Sequence, residues 1–219
     1  MSRVKKRGFF ITVEGIEGCG KTTQAALLTA YLKKKGMDVL HTREPGGTDI
    51  GRRVRALLLD PESKALTGLA ELLLYSADRA QHLAEVVEPA LKKGVAVICD
   101  RFTDATLAYQ GFGRGLDMDV IESLNEIATG GCRPDLTLLL DLPVEVGLGR
   151  AIGRNDKTGN YNEARFEMEA VKFHKKVRKG YLSIAACEQD RIKVIDAGGT
   201  VKEVKDAVRA VVDEALAAK

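Results

Sequence analysis

The stretch VEGIEGCGKTTQ, Val13–Gln24, contains Gly15, four intervening residues, and then Gly20, Lys21 and Thr22. This spacing belongs to a loop that wraps a polyphosphate. Its glycines let backbone N–H groups approach phosphate oxygens, and the helix that follows adds partial positive charge at its start. Gly15, Ile16, Glu17, Gly18, Cys19, Gly20, Lys21 and Thr22 therefore form a candidate ATP-binding loop. Lys21 is placed to reach the β- and γ-phosphates, and the Thr22 hydroxyl is a ligand for Mg²⁺. Two acids, Glu14 and Glu17, accompany this anion-binding loop although the bare pattern does not require them.

A second cluster lies in VAVICDRFTDATLAYQGFGRG, where an apolar run ends in Asp100 and Arg101. In an open parallel sheet, ligands bind beyond the carboxyl ends of the strands, which puts both side chains at the crevice. An acid there holds Mg²⁺ through water, and an arginine clamps a phosphate with two parallel hydrogen bonds. A plain Asp–Arg ion pair at the strand end is the simpler alternative. LTLLLDLP sets Asp141 at the corresponding place on another run, as a helix N-cap or loop anchor. HTREPGGT follows a third run, with Arg43, Arg52, Arg53 and Arg55 close by. These arginines form either a solvated face or the seat of a second anion.

These residues need a scaffold that brings distant segments together. Five short apolar runs supply it: Phe9–Val13, Asp38–His41, Val95–Cys99, Leu136–Leu140 and Ile192–Ile195. The segments between them have helical spacing, with stripes at Leu27, Leu28, Tyr31 and Leu32, at Leu69, Leu72 and Leu73, at Leu83, Val86 and Val87, and over Val201–Leu216. Near-continuous apolar strands alternating with helices indicate a parallel sheet covered on both faces. No repeat or linker divides the sequence, so one α/β domain over 1–219 is expected. GRNDKTGNYNEAR, Gly153–Arg165, is rich in glycine and asparagine and carries Arg154, Lys157 and Arg165. It reads as a mobile lid over about 151–165 rather than a plain surface loop.

The 219 residues are 45% apolar, enough for a full core, and the net charge of +3 does not predict a nucleic-acid surface. The basic run KFHKKVRK, Lys172–Lys179, reads as a solvated helix face. Cys19, Cys99, Cys132 and Cys187 are scattered without paired spacing and read as reduced thiols. MSRVKKRGFFITVE has an apolar run too short for a signal peptide and reads as a first strand. No stretch approaches the ~20 apolar residues of a membrane span. A cytoplasmic protein with no membrane partner is expected.

Taken together, EGIEGCGKTT, TREPGGT, LLLYSADRAQH, CDRFTDATLAYQGFGRG and RPDLTLLLDLPVEVGL resemble the bacterial thymidylate kinases of the nucleoside monophosphate kinase group, in order and spacing, from about Phe9 to Leu182. The resemblance implies a P-loop NTPase three-layer sandwich: a five-stranded parallel sheet with helices on both faces and a short lid. It implies phosphorylation of dTMP to dTDP with MgATP as donor, and a homodimer. By the same resemblance, Glu17 contacts the acceptor's 3′-hydroxyl, Arg55 and Arg101 bind its phosphate, and Asp100 serves the metal and that phosphate. Tyr75 stands where a phenylalanine usually stacks on thymine. Arg79 matches the residue that hydrogen-bonds the base, Thr106 and Gln110 line that pocket, and Tyr109 sits beside the 2′ carbon. The role of Glu14 reads as structural.

There are departures from the family pattern. Phe102 follows the Asp–Arg pair in place of tyrosine or histidine, and Ile152 occupies a position that is often basic. Gly18 replaces the loop arginine of the eukaryotic type, so the lid must deliver a cation. Arg154 is assigned that catalytic role beside Lys21, Arg101 and Asp100, with Arg165 as its competitor and Arg150 as a structural partner of Glu145 or Glu163. Thr22 and Asp100 form the metal set. A kinase acting on dCMP or a deoxynucleoside, and a nucleotide-switched ATPase, are the rival readings.

Overall fold

A computed structural model describes residues 7–159, 161–162 and 164–218. The basic start at residues 1–6, Lys219, and the lid positions Asn160 and Glu163, the latter the suggested partner of Arg150, lie outside the described residues. Five strands form one sheet: β1 Phe10–Glu14, β2 Val39–Arg43, β3 Ala96–Asp100, β4 Leu136–Asp141 and β5 Ile192–Asp196. Their order is β2-β3-β1-β4-β5, and every pairing is parallel. Each strand falls within two residues of its predicted run.

The register explains why these runs read as continuously apolar. Phe10 and Val97 face one side, where Cys99 and Phe102 join Leu83, Val87 and Leu91 in a compact cluster. Ile11 and Ile98 face the other side and join a larger core with Leu28, Leu32, Leu138 and Val208. A sheet buried on both faces has no polar row to alternate with.

The helices are α1 Lys21–Lys34, α2 Asp49–Leu59, α3 Gly68–His82, α4 Glu88–Lys92, α5 Thr103–Thr106, α6 Met118–Thr129, α7 Val144–Thr158, α8 Val171–Cys187 and α9 Val201–Ala217. Wider π-turns over Leu83–Val87 and Leu107–Gly113 extend α3 and α5. Helix α9 begins with a reciprocal cap in which the Thr200 side chain accepts from the Glu203 N–H and Glu203 accepts from the Thr200 N–H. Among the described residues no helix is long and apolar enough to cross a membrane.

Two expectations change here. Residues 153–158 belong to α7, so the irregular segment begins at Gly159, whose left-handed backbone ends the helix. Glycine and asparagine content marked the segment as loop, but the apolar spacing carried over from Val144 prevails. In the α3 stripe only Leu72 is buried, while Leu69 and Leu73 are about half exposed.

Ile98 is fully buried in β3 between β1 and β2. Ile98→Ala is expected to lower unfolding stability by about 2–5 kcal/mol, because the cavity adds to the lost transfer energy. Urea denaturation followed by circular dichroism measures it.

Candidate active site

Strand β1 ends against β3 and β4, and the sheet order reverses about it, which creates a crevice at the strands' carboxyl ends. The loop between β1 and α1 occupies this crevice, and Gly20 at the mouth of α1 has a left-handed backbone. Helix α7 passes so close that a Cβ on Gly18 would lie 2.0 Å from the Gly147 carbonyl oxygen, at a backbone φ of +69°. A loop arginine at position 18 therefore cannot fit beside this α7.

Within the loop the Lys21 ammonium donates to the carbonyls of Gly15 (3.0 Å) and Ile16 (2.8 Å). The Cys19 side chain is buried in the main core, which leaves only its backbone toward the loop. Thr22, at the start of α1, donates to Asp100 Oδ2 at 2.7 Å. These oxygens come from two elements 78 residues apart and meet at the cleft mouth.

Arg101 is the single non-glycine residue with positive φ among those described, at 72°. This left-handed turn at the end of β3 carries a conformational cost for an L-residue. Its Nη1 reaches the Gly15 carbonyl (3.2 Å) and the Tyr181 hydroxyl (3.1 Å). Its Nη2 reaches Glu17 Oε1 (3.0 Å) and the Tyr109 hydroxyl (3.0 Å). The simpler Asp100–Arg101 pair is thus not formed: the two side chains engage different elements.

Glu17 also accepts from the Tyr109 hydroxyl, and His174 Nδ1 stands 3.1 Å from its other oxygen without hydrogen-bond alignment. Burial pushes the Glu17 carboxyl up, but His174, the Arg101 and Lys21 charges and the Tyr109 hydroxyl outweigh it and hold it well below the usual carboxylate range. Glu14 behaves in the opposite way. It is fully buried and accepts from the Phe102 N–H (2.7 Å) and the Tyr181 hydroxyl (2.8 Å). Burial first, and then Asp104, push its carboxyl up to about 8 against the pull of Arg101. The two loop acids are therefore different in kind: Glu17 is a fixed anion facing the cleft, and Glu14 is a strut.

The cleft measures about 720 Å³ and runs from Lys21, Thr22 and Asp100 to Arg55, Tyr75, Thr106 and Gln110. Of the four arginines near TREPGGT, Arg43 and Arg55 line it, while Arg52 pairs with Asp49 on the exposed face of α2. Arg55 donates to the Pro45 carbonyl at 3.0 Å. Arg79 is not among the lining residues. It is sealed one layer back, donating to Glu44 Oε2 (2.9 Å), Asn125 Oδ1 (2.8 Å), the Phe102 carbonyl (3.0 Å) and Thr106 Oγ1 (2.9 Å). A buried guanidinium needs several acceptors to offset its desolvation, and this shell supplies them.

Arg150 and Arg154 both face the cleft from α7. Arg154 Nη2 lies 3.3 Å from Glu167 Oε1, and Arg150 Nη1 donates to the Ala197 carbonyl at 3.2 Å. Glu145 pairs instead with Lys175, so it is not the partner expected for Arg150. Arg165 turns away to the Leu58 carbonyl (3.0 Å) and Glu71 (2.8 Å). Asp141 is not a cap, since Pro143 holds the N-cap position of α7; it anchors Arg178 of α8 through two 2.8 Å bonds.

Helix α8 contributes Phe173, His174 and Tyr181, which the basic run KFHKKVRK concealed. A histidine and a tyrosine seven residues apart on one helical face are the signal that was available. Glu71 and Arg114 were missed as well. Glu44, His82 and Cys99 cluster within 4.8 Å, but Glu44 and His82 already bond each other at 2.9 Å and His82 bonds Thr42 at 2.7 Å.

A phosphate loop at one end of a cleft and a second arginine-bearing corner at the other define a P-loop phosphotransferase with two anionic ligands. The thymidylate kinase family profile matches residues 13–208, and the chain belongs to that family. It is 58% identical over 196 residues to the thymidylate kinase of Citrifermentans bemidjiense, covering 90% of this chain and 87% of that protein. It is 54% identical to that of Geotalea uraniireducens over 96% of this chain and 99% of the relative. The crystal structure of thymidylate kinase from Ehrlichia chaffeensis superposes with a TM-score of 0.75 at 34% identity, covering 94% of this chain and 99% of the other.

Because the Glu14 pKa is higher folded than unfolded, the folded state retains a proton, and stability present at low pH is lost as pH climbs from 4.5 to about 8. Asp78, which burial and then Glu44 push up to about 6, adds in the same sense. Thermal melts are expected to fall across that window, and Glu14→Gln to flatten the fall. An equally steep fall in the variant removes Glu14 as its source.

Proposed function

We propose that the chain phosphorylates dTMP to dTDP, taking the γ-phosphoryl group of ATP, within a single domain capped by the segment about 151–165. The observation that carries this reading is the shared cleft, with the phosphate loop at one end and Arg55, Tyr75, Thr106 and Gln110 at the other. The acceptor phosphate is already ionised at neutral pH, so catalysis consists of alignment and charge neutralisation. Lys21 leaves its loop carbonyls for the β- and γ-oxygens of ATP. Arg101, fixed under the loop by Gly15 and Glu17, presents its charge between the two ligands. Arg55 binds the acceptor phosphate, Glu17 its 3′-hydroxyl, and Tyr75 packs on the base. Tyr109, pinned by Glu17 and Arg101, closes the space beside the 2′ carbon.

Thr22 and Asp100 offer hard oxygen donors 2.7 Å apart, which suits Mg²⁺. Held there, the ion would neutralise negative charge on the polyphosphate. Ile50 and Leu57 on α2, Leu69 and Leu73 on α3, and Val120 and Ile127 on α6 are exposed apolar side chains, and α2 and α6 both pack against α3. This face supports a homodimer. A cytoplasmic location without a membrane or nucleic-acid partner is part of this reading.

A coupled assay with ATP and dTMP, dUMP, UMP or dCMP tests the reading. Formation of dTDP from dTMP as the preferred acceptor is expected, and ATP hydrolysis without dTDP overturns it.

Arg154 is the cation proposed to stabilise the transferring phosphoryl group, with Arg150 rather than Arg165 as the alternative that faces the cleft. Supplied arginines are worth ~10³–10⁵ in turnover, so Arg154→Ala is expected to lower kcat by at least ~10²-fold. Calorimetric dTMP affinity should stay near wild type. A small loss, with Arg150→Ala crippled instead, moves the role to Arg150.

A further inference from the structure

We infer that Glu71 is the positioning residue that makes the acceptor pocket select bases carrying an N3–H, by fixing which end of the Gln110 amide faces the cleft. The inference rests on the reading that Gln110 meets the acceptor's base. Glu71 lies in the first turn of α3 and is fully buried. Its carboxylate accepts from Arg114 Nε (3.2 Å) and Nη2 (3.1 Å), from Arg165 Nη2 (2.8 Å), and from Gln110 Nε2 (2.8 Å). An ionised carboxylate accepts and never donates. The end of the Gln110 amide that touches it must therefore be the NH₂, and the carbonyl Oε1 takes the opposite direction.

Gln110 lines the cleft beside Thr106. Among the described residues its Oε1 accepts no hydrogen bond, and it is not one of the sealed polar atoms lacking a partner. It opens into the cleft as a pure acceptor. Thr106 has the opposite polarity. Its oxygen accepts from Arg79 Nη2 at 2.9 Å, which leaves its hydroxyl hydrogen to donate. Two sealed charges on α3, Glu71 and Arg79, thus set an acceptor and a donor side by side.

Thymine and uracil present the complement, an N3–H donor next to the O4 acceptor. Cytosine presents the reverse, an N3 lone pair next to an amino donor. Gln110 Oε1 would meet the cytosine N3 lone pair to lone pair, and a buried acceptor left unmatched is what makes such pockets selective. Selection between two bases of one size then comes from groups that never touch the base.

The test measures kcat/KM of the full-length enzyme for dTMP, dUMP and dCMP with ATP. Glutamine at position 71 can donate as well as accept, so Glu71→Gln frees the Gln110 amide to turn over. The dTMP/dCMP ratio is expected to fall at least ~10-fold, a conservative bound for a site that reads hydrogen bonds. A rise in dCMP turnover should accompany the fall, with dUMP following dTMP. Arg114→Gln removes a cation from the same carboxylate without freeing the amide, and should keep the wild-type ratio. E71Q/R165Q, which removes one charge of each sign, serves the same test if the single variant folds poorly. A wild-type ratio in E71Q or in the double variant, or an equal loss in Arg114→Gln, overturns the inference. Failure of the wild type to use dTMP at all is a different outcome and overturns the proposed function.

Discussion

The site depends on the left-handed backbone of Arg101. A β-strand that ended in ordinary conformation would send this side chain out along the crevice; the φ of 72° turns it back beneath the phosphate loop. There one guanidinium joins four partners from separate stretches of chain: the Gly15 carbonyl, Glu17, Tyr109 and Tyr181. A strained residue persists only where its surroundings over-determine it. Here they also include the Phe102 N–H, tied to Glu14 one residue further on. Loop, β3, α8 and the π-turned segment are therefore fixed relative to one another by one side chain, whose positive charge is then available to a phosphate.

The same arrangement explains why the two loop acids diverge. Glu17 reaches Arg101, Tyr109 and the neighbourhood of Lys21, so it pays for burial with cationic and donor contacts and stays ionised. Glu14 has only neutral donors at hydrogen-bond distance, and Asp104 nearby opposes its charge. Asp104 in turn spends its own charge on Arg191 at 2.8 Å. Burial is nearly equal for the two acids, so the balance of neighbours decides their ionisation.

Much of this was legible in the sequence because chemistry and scaffold share a grammar. Apolar runs ending in Gly15, Asp100 and Asp141 marked both the strands and the edge of the crevice. The lid was not legible in the same way. Gly153 and Asn155 read as loop residues, but α7 continues through them, and Asn155 is buried rather than solvated. Arg79 was read as a base-contacting residue from the family resemblance, and Arg165 as a competing lid cation from its place at the end of the Gly/Asn-rich segment. Their real acceptors, Glu44 and Glu71, lie 35 and 94 residues away, and no local pattern announces such pairs. His174 and Tyr181 were hidden for the converse reason, since the lysines around them made the helix look wholly solvated.

These pairings reveal a division of labour in depth. The cleft wall holds neutral groups such as Thr106, Gln110 and Tyr109 beside the charged Glu17, Lys21, Asp100, Arg55 and Arg101. Behind that wall stand the sealed ions Glu71 and Arg79, each paired and neither lining the cleft, while Glu44, the partner of Arg79, is buried at the wall itself. Were Glu71 and Arg79 in the wall itself, they would be free to reorganise as a polar ligand arrived. Placed one layer back, they cannot reach solvent, and they act by holding the hydrogen bonds of the wall residues in one direction. Buried ion pairs add little net stability, because desolvation offsets their attraction. What they do fix is the sense of the amides and hydroxyls in contact with them, a preorganisation that a neutral core could not impose.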